Sequence, residues 1–139
     1  PINEHDTIAS VYAKVALSSG KLFLRNFAAI ESGDWTPVQQ ADIEASEYPR
    51  RHEADDWIDW ESSAATVHDK IRAITRPYPG ARARIGDRVA VLWSAQPFDS
   101  PLDDFAEENG ALLQTLPDDS LLIKVQDGQI LVTDYDWID

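Results

Sequence analysis

The chain has 139 residues, with 25 acidic against 12 basic side chains, 43% apolar residues, and neither cysteine nor methionine. That length supports one domain with a core, or a small domain with an appendage, and the apolar content excludes a disordered chain. The absence of cysteine excludes disulfides, iron–sulfur clusters and thiolate metal sites.

Other classes are also set aside. His5, His52 and His68 are spaced too widely for a short histidine metal motif, so no metal is expected. No apolar run reaches roughly eighteen residues, the length a membrane helix needs. The N-terminal stretch PINEHDTIAS is acidic and polar, unlike a signal peptide, and a cytoplasmic protein with no membrane partner is expected. The net charge of −13 repels nucleic acid at long range, but it is unevenly spread. Residues 1–65 hold 12 acids and 5 bases, residues 66–94 hold 2 and 6, and residues 95–139 hold 11 and 1. Eight arginines against four lysines is equally what salt adaptation produces, so the acidity alone does not define a partner.

In chain order, residues 6–30 predict a helix. Ile8, Val11, Tyr12, Val15, Leu22, Phe23, Phe27 and Ile30 recur at helical spacing, Asp6 or Thr7 can cap the start, and Gly33 can end it. Ser18, Ser19 and Gly20 are a place for a break. Residues 33–56 carry two prolines and no sustained period, which predicts a crossing strap with Trp35 and Tyr48 pinning its ends. After WIDW (57–60), Ser62 or Ser63 can cap a second helix with the stripe Ala64, Val67, Ile71 and Ile74, ending just before Pro77. Five short strand patterns come next: RARI, VAVLWSA, ALLQTL, SLLIKVQ and QILVTDY. Turns at Gly86-Asp87, at PDDS and at Asp127-Gly128 separate them. One helix followed by five strands predicts a small, partly open barrel rather than a βαβ layout.

No GxSxG, HExxH, phosphate loop or GxGxxG pattern is present. The acidic groups Glu53, Asp55, Asp56 and Asp59, and the run Asp103, Asp104, Glu107 and Glu108, read as solvated loops. His68 reads as a packed or surface histidine, because no serine, cysteine or metal partner accompanies it. The basic segment is the more informative one. Lys70, Arg72, Arg76, Arg82, Arg84 and Arg88 fall within nineteen residues, with Tyr78 among them, and the last three alternate on strands and can line one face. Such a patch holds a phosphate-bearing ligand, or it neutralises the chain's own acids; the residues leave both open.

Three stretches also carry a resemblance. YPRRHEADDWIDW, IRAITRPYPGA and GDRVAVLWSA resemble the C-terminal region of the formyltransferase family, which includes methionyl-tRNA and amino-sugar formyltransferases. The matching positions are Tyr48, Pro49, Arg50, Arg51, Asp56, Ile58, Asp59 and Trp60, then Ile71, Arg72, Ala73, Pro77, Tyr78, Pro79, Gly80 and Ala81. The stretch from Asp6 to Gln40 resembles the closing helix of the family's catalytic domain.

The resemblance implies an α+β chain of helix, strap, second helix and OB-like barrel. Residues 1–47 would be the terminal helix of the catalytic domain plus linker, and 48–139 the C-terminal domain. Asp59, Trp60, Pro77, Pro79 and Gly80 would be structural, and Lys70, Arg72, Arg76, Tyr78, Arg82, Arg84 and Arg88 would face a tRNA or nucleotide-sugar acceptor. The family's donor is 10-formyltetrahydrofolate, bound by a catalytic domain that supplies an Asn, a His and an Asp; nothing here matches those residues, and His5 and Asp6 come too late to stand in. The chain alone is therefore expected to bind no cofactor and to have no catalytic residues. The exposed face of residues 8–30 would meet that catalytic domain or pair with a second copy.

Overall fold

The computed structural model describes residues 1–39, 41, 45–99 and 107–138. Helix α1 spans Ile8–Ser32. Thr7 is its cap, with extended backbone and a side chain that accepts from the Ser10 amide at 3.4 Å, while the Ser10 hydroxyl accepts from the Thr7 amide at 3.1 Å. This reciprocal pair satisfies two donors that a helix start leaves orphaned. Gly33 ends the helix at φ 73°, donating its N–H to the Ile30 carbonyl at 3.3 Å. At Ser18-Ser19-Gly20, where the sequence offers a place for a break, the helix runs on unbroken. No proline interrupts the ladder there, and a lone helical glycine costs only about 1 kcal/mol.

Residues 34–39 and 45–52 have no regular structure, and a 3₁₀ turn occupies Glu53–Asp56. Trp35 and Tyr48 do not pin this strap. Both are largely exposed. The anchor lies later. Asp56 is 3% exposed and pairs with Arg51 at 3.3 Å, and the Ile58 amide donates to the Arg82 carbonyl at 2.7 Å. Asp56, expected on a solvated loop, is thus an interior charge that persists through its partner.

Helix α2 spans Ala64–Ile74, capped by Ser63, whose hydroxyl accepts from the Thr66 amide at 3.2 Å. Val67, Ile71 and Ile74 are buried. Thr75 leaves the helix in extended backbone, and its hydroxyl donates to the Trp93 carbonyl at 2.8 Å. The Arg76–Pro77 peptide is cis. Gly80 then donates to the Ile74 carbonyl at 2.9 Å from φ 85°, and a Cβ there would lie 2.3 Å from Val91 Cγ1 and 2.7 Å from Trp93 Cζ3. Glycine is needed both for the left-handed backbone and for the close approach to β2.

The strands are β1 (Ala81–Ile85), β2 (Arg88–Phe98), β3 (Leu112–Thr115), β4 (Leu121–Val125) and β5 (Gly128–Trp137). They form one antiparallel sheet in the order β1-β2-β5-β4-β3. Gly86-Asp87 is the β1–β2 turn as expected, while the last turn is Gln126-Asp127, with Gly128 already paired to Val125. The core joins α2 to one sheet face: Val67 and Ile71 with Ala83, Leu92, Ile123, Ile130 and Val132. This is an α+β fold with an open sheet, since β1 and β3 form no ladder with each other.

The free edge of β1 is covered by the WIDW segment. Besides the Ile58–Arg82 bond, the Trp60 indole donates to the Arg84 carbonyl at 2.9 Å, and its ring lies against Gly110, where a Cβ would fall 2.5 Å from Trp60 Cδ1. Asp59 accepts from the Glu61 amide at 3.1 Å, which turns the chain toward α2. Covering an edge strand in this way blocks pairing with another chain. Among the described residues, no helix is long and apolar enough to cross a membrane. Asp103 and Asp104 lie outside the described residues.

Candidate functional site

The basic segment does not assemble into one surface. Lys70 donates to the Trp57 carbonyl, tying α2 to the edge-covering segment. Arg72 bonds Asp69 at 2.8 Å and also the carbonyls of Asn3 at 3.2 Å and Asp6 at 2.8 Å. It is a clasp for the start of α1. Arg76 pairs with Asp134 at 2.8 Å and lies 4.1 Å over the Trp93 ring, whose indole donates to Asp136 at 2.8 Å. These three cations serve the protein's own carbonyls and acids, as an acid-rich chain allows.

Register decides the strand arginines. Arg82 faces Val91 and Arg84 faces Val89 across the β1–β2 hairpin, on the side away from the core. Arg88 instead faces Ile85, and partners across an antiparallel pair share a face. It therefore lies on the opposite side from Arg82 and Arg84, stacked 3.8 Å over Trp137. The expectation that all three line one face fails because the two-residue turn at Gly86-Asp87 resets the alternation.

What remains at the joint, the exit from α2 through Thr75, Pro77, Pro79 and Gly80 into β1, is a smaller group. Arg51 lies 5.0 Å over the Tyr78 ring, and the Tyr78 hydroxyl bonds that of Tyr12 on α1. Arg82 reaches Glu53 only at 4.0 Å. The side chains of Arg50 and Arg84 make no hydrogen bond or ion pair among the described residues. Arg51, Tyr78, Arg82 and Arg84 thus offer positive charge and one aromatic ring where the strap passes β1. The pairs Arg51–Asp56 and Tyr12–Tyr78 were not legible in sequence. Tyr12 and Tyr78 come from distant segments, and an irregular strap has no period that would bring Arg51 onto Asp56.

A cleft of about 500 Å³ lies between the N-terminal residues, α2 and β2. Its charges are spent internally: Asp69 lies 3.6 Å from His68 and holds Arg72, and Glu4 lies 3.5 Å from His5. His68 is packed against this wall, as a structural histidine would be. Beside it, Asp6 is buried, and its bonds to Lys14, Ser10 and Asn3 hold its carboxyl well below the usual carboxylate range. Hydrogen bonds and a cation favour the ionised form. No cluster of histidine and carboxylate groups able to hold a metal exists among the described residues.

The fold has solved relatives. A multiply substituted variant of HypX from Aquifex aeolicus aligns with 100% of this chain at 24% identity and a TM-score of 0.76. A second HypX variant aligns with 97% at 25% identity and a TM-score of 0.75. HypX in complex with tetrahydrofolic acid aligns with 100% at 23% identity and a TM-score of 0.75. The chain spans about a quarter of the length of these structures, 23–24%. Residues 51–137, which hold the edge-covering segment, α2, the joint and all five strands, match the family described as formyl transferase, C-terminal domain. The chain belongs to the formyl transferase C-terminal domain family.

Proposed function

We propose that this chain is the C-terminal portion of a formyl-tetrahydrofolate-dependent formyltransferase and helps to position a phosphate-bearing acceptor amine, methionyl-tRNA or a nucleotide amino sugar. The family match and the likeness to HypX, one structure of which holds tetrahydrofolic acid, support the first half. The second half rests on one observation: Arg84, beside the weakly engaged Arg82, is a cation with no side-chain partner among the described residues, on the outward face of the joint. Guanidinium groups in such a place suit phosphate oxygens. Formyl transfer itself belongs to a separate catalytic domain, in the cytoplasm, and α1 is the surface that meets it. The net charge of −13 favours the smaller nucleotide-sugar acceptor over tRNA.

Two measurements test this. The 139-residue chain incubated with formyl-tetrahydrofolate and either acceptor should transfer no formyl group; detectable transfer overturns the division of labour. Calorimetric titration with a nucleotide amino sugar, and separately with methionyl-tRNA, should show binding that weakens as salt rises from about 50 to 200 mM and that drops in Arg84→Ala. Binding indifferent to both salt and Arg84 would remove the joint from the acceptor site.

An oligomeric reading has its own support. Leu22, Phe23 and Ile30 share one face of α1 and are each at least half exposed, and the same face of a second copy could cover them. Sedimentation should then show a dimer that strengthens with salt and that Phe23→Asp returns to a monomer. A monomer at every salt concentration leaves α1 to the catalytic domain.

A further inference from the structure

One large side chain of the edge-covering segment is left facing outward. Asp56 and Ile58 are buried on either side of Trp57, which is itself 37% exposed. The backbone of Trp57 is held firmly: Lys70 donates to its carbonyl, and the next amide, that of Ile58, donates to the Arg82 carbonyl at 2.7 Å. The ring is uncommitted. Trp60, Trp93 and Trp137 each have a bonded indole or a stacked guanidinium. Among the described residues the Trp57 ring has neither. A tryptophan fixed by its backbone and free at its ring is a platform on which a flat ring can stack at little ordering cost.

Two cations continue from this platform. Trp57 is bridged to Arg82, and residues opposed across a pleated pair point to the same face. Arg84 repeats that outward direction two residues along β1, about 7 Å further on. Arg82 is engaged only by Glu53, at 4.0 Å. The outward face of the joint thus presents, in order, an indole and two guanidinium groups. We propose that Trp57 stacks the base of a nucleoside diphosphate whose phosphates lie at Arg82 and Arg84, so that this residue makes the joint prefer a nucleotide to bare phosphate. The proposal rests on the joint being the acceptor site and names the moiety held there. Guanidinium groups suit the phosphate oxygens, and every base has a π-face, so the platform accepts any base. Two cations match two phosphates, while the net charge of −13 opposes a long polyanion.

Titration of the 139-residue chain with adenosine diphosphate, inorganic pyrophosphate and a single-stranded RNA hexanucleotide tests this, by calorimetry and by the indole signals in nuclear magnetic resonance. Adenosine diphosphate should bind about tenfold more tightly than pyrophosphate and shift the Trp57 indole signal, which pyrophosphate leaves in place. Trp57→Leu should erase that preference and keep the pyrophosphate affinity, Trp57→Phe should retain part of it, and Arg84→Ala should weaken both ligands. Equal affinity for the two ligands, an unmoved Trp57 indole in the unsubstituted chain, or a preference that survives Trp57→Leu overturns the stacking role and leaves the joint standing as a phosphate site. Binding of neither ligand overturns the joint itself, and the stacking role with it. A hexanucleotide bound more tightly than adenosine diphosphate overturns the assignment to a free nucleotide.

Discussion

Helices α1 and α2 begin alike and end differently. Both have a hydroxyl cap, both carry an apolar stripe at helical spacing, and α1 is more than twice as long at 25 residues against 11. Yet α2 buries Val67, Ile71 and Ile74, while no residue of α1 is buried. The connection out of each helix makes the difference. Behind α2, Thr75, Pro77, Pro79 and Gly80 turn the chain straight into β1, so the stripe closes over the sheet. Behind α1 comes a strap, and among the described residues the helix is held only near its start, by Arg72, by Asp6 and by the Tyr12–Tyr78 contact. An apolar stripe reports that a face wants cover; the connection decides whether the same chain supplies it.

Glycine substitutions should expose this contrast most strongly. Gly80 and Gly33 both sit at positive φ, but a Cβ at Gly80 meets Val91 and Trp93, whereas at Gly33 it meets nothing within 4 Å. Gly80→Val should therefore cost on the order of 3–5 kcal/mol, backbone strain plus overpacking, and Gly33→Ala only about 1 kcal/mol. Thermal melts of the two variants give the comparison directly, and equal losses would mean that the joint is not tight.

Truncating one large side chain on each helix comes next. Ile71, 1% exposed, should lose about 3 kcal/mol on replacement by alanine, while Phe23→Ala, on an exposed face, should change stability by no more than about 0.5 kcal/mol. Denaturant unfolding of both variants measures the gap. A large loss for Phe23→Ala would show that α1 is already covered in solution, and would favour the dimer.

The start of α1 should respond to acid. The Asp6 carboxyl titrates below its unfolded value, so its contribution is present above pH about 4 and is lost as pH falls through the lowered native value. Asp6→Asn should be less stable than wild type at pH 7, and the difference should shrink toward pH 3. A gap that stays constant over that range would remove the ionised carboxyl from the clasp. The smallest expected effect is at Arg82, one-third exposed and 4.0 Å from Glu53: Arg82→Ala should move stability by about 0.5 kcal/mol or less. A larger loss in a thermal melt would mean that the strap depends on that pair.

Much of this architecture could be read in advance because it rests on local rules. Hydroxyl caps, a glycine stop, prolines after α2 and a glycine turn between alternating apolar runs each act through the backbone of a few residues, and they placed both helices and all five strands. Motif residues likewise carried the family assignment, Trp60 and Gly80 among them. What tertiary structure alone decided is where the polar side chains are spent. Trp60 reaches Arg84 across 24 residues, Tyr12 reaches Tyr78 across 66, and Arg72 reaches Asp6 across 66. No spacing rule encodes such pairs. The basic segment is the clearest instance: composition showed six cations together, but strand register and long-range contacts divided them between clasps, an aromatic stack and one outward pair. Charge adds up along a sequence, whereas a binding face depends on direction, which only the folded chain defines.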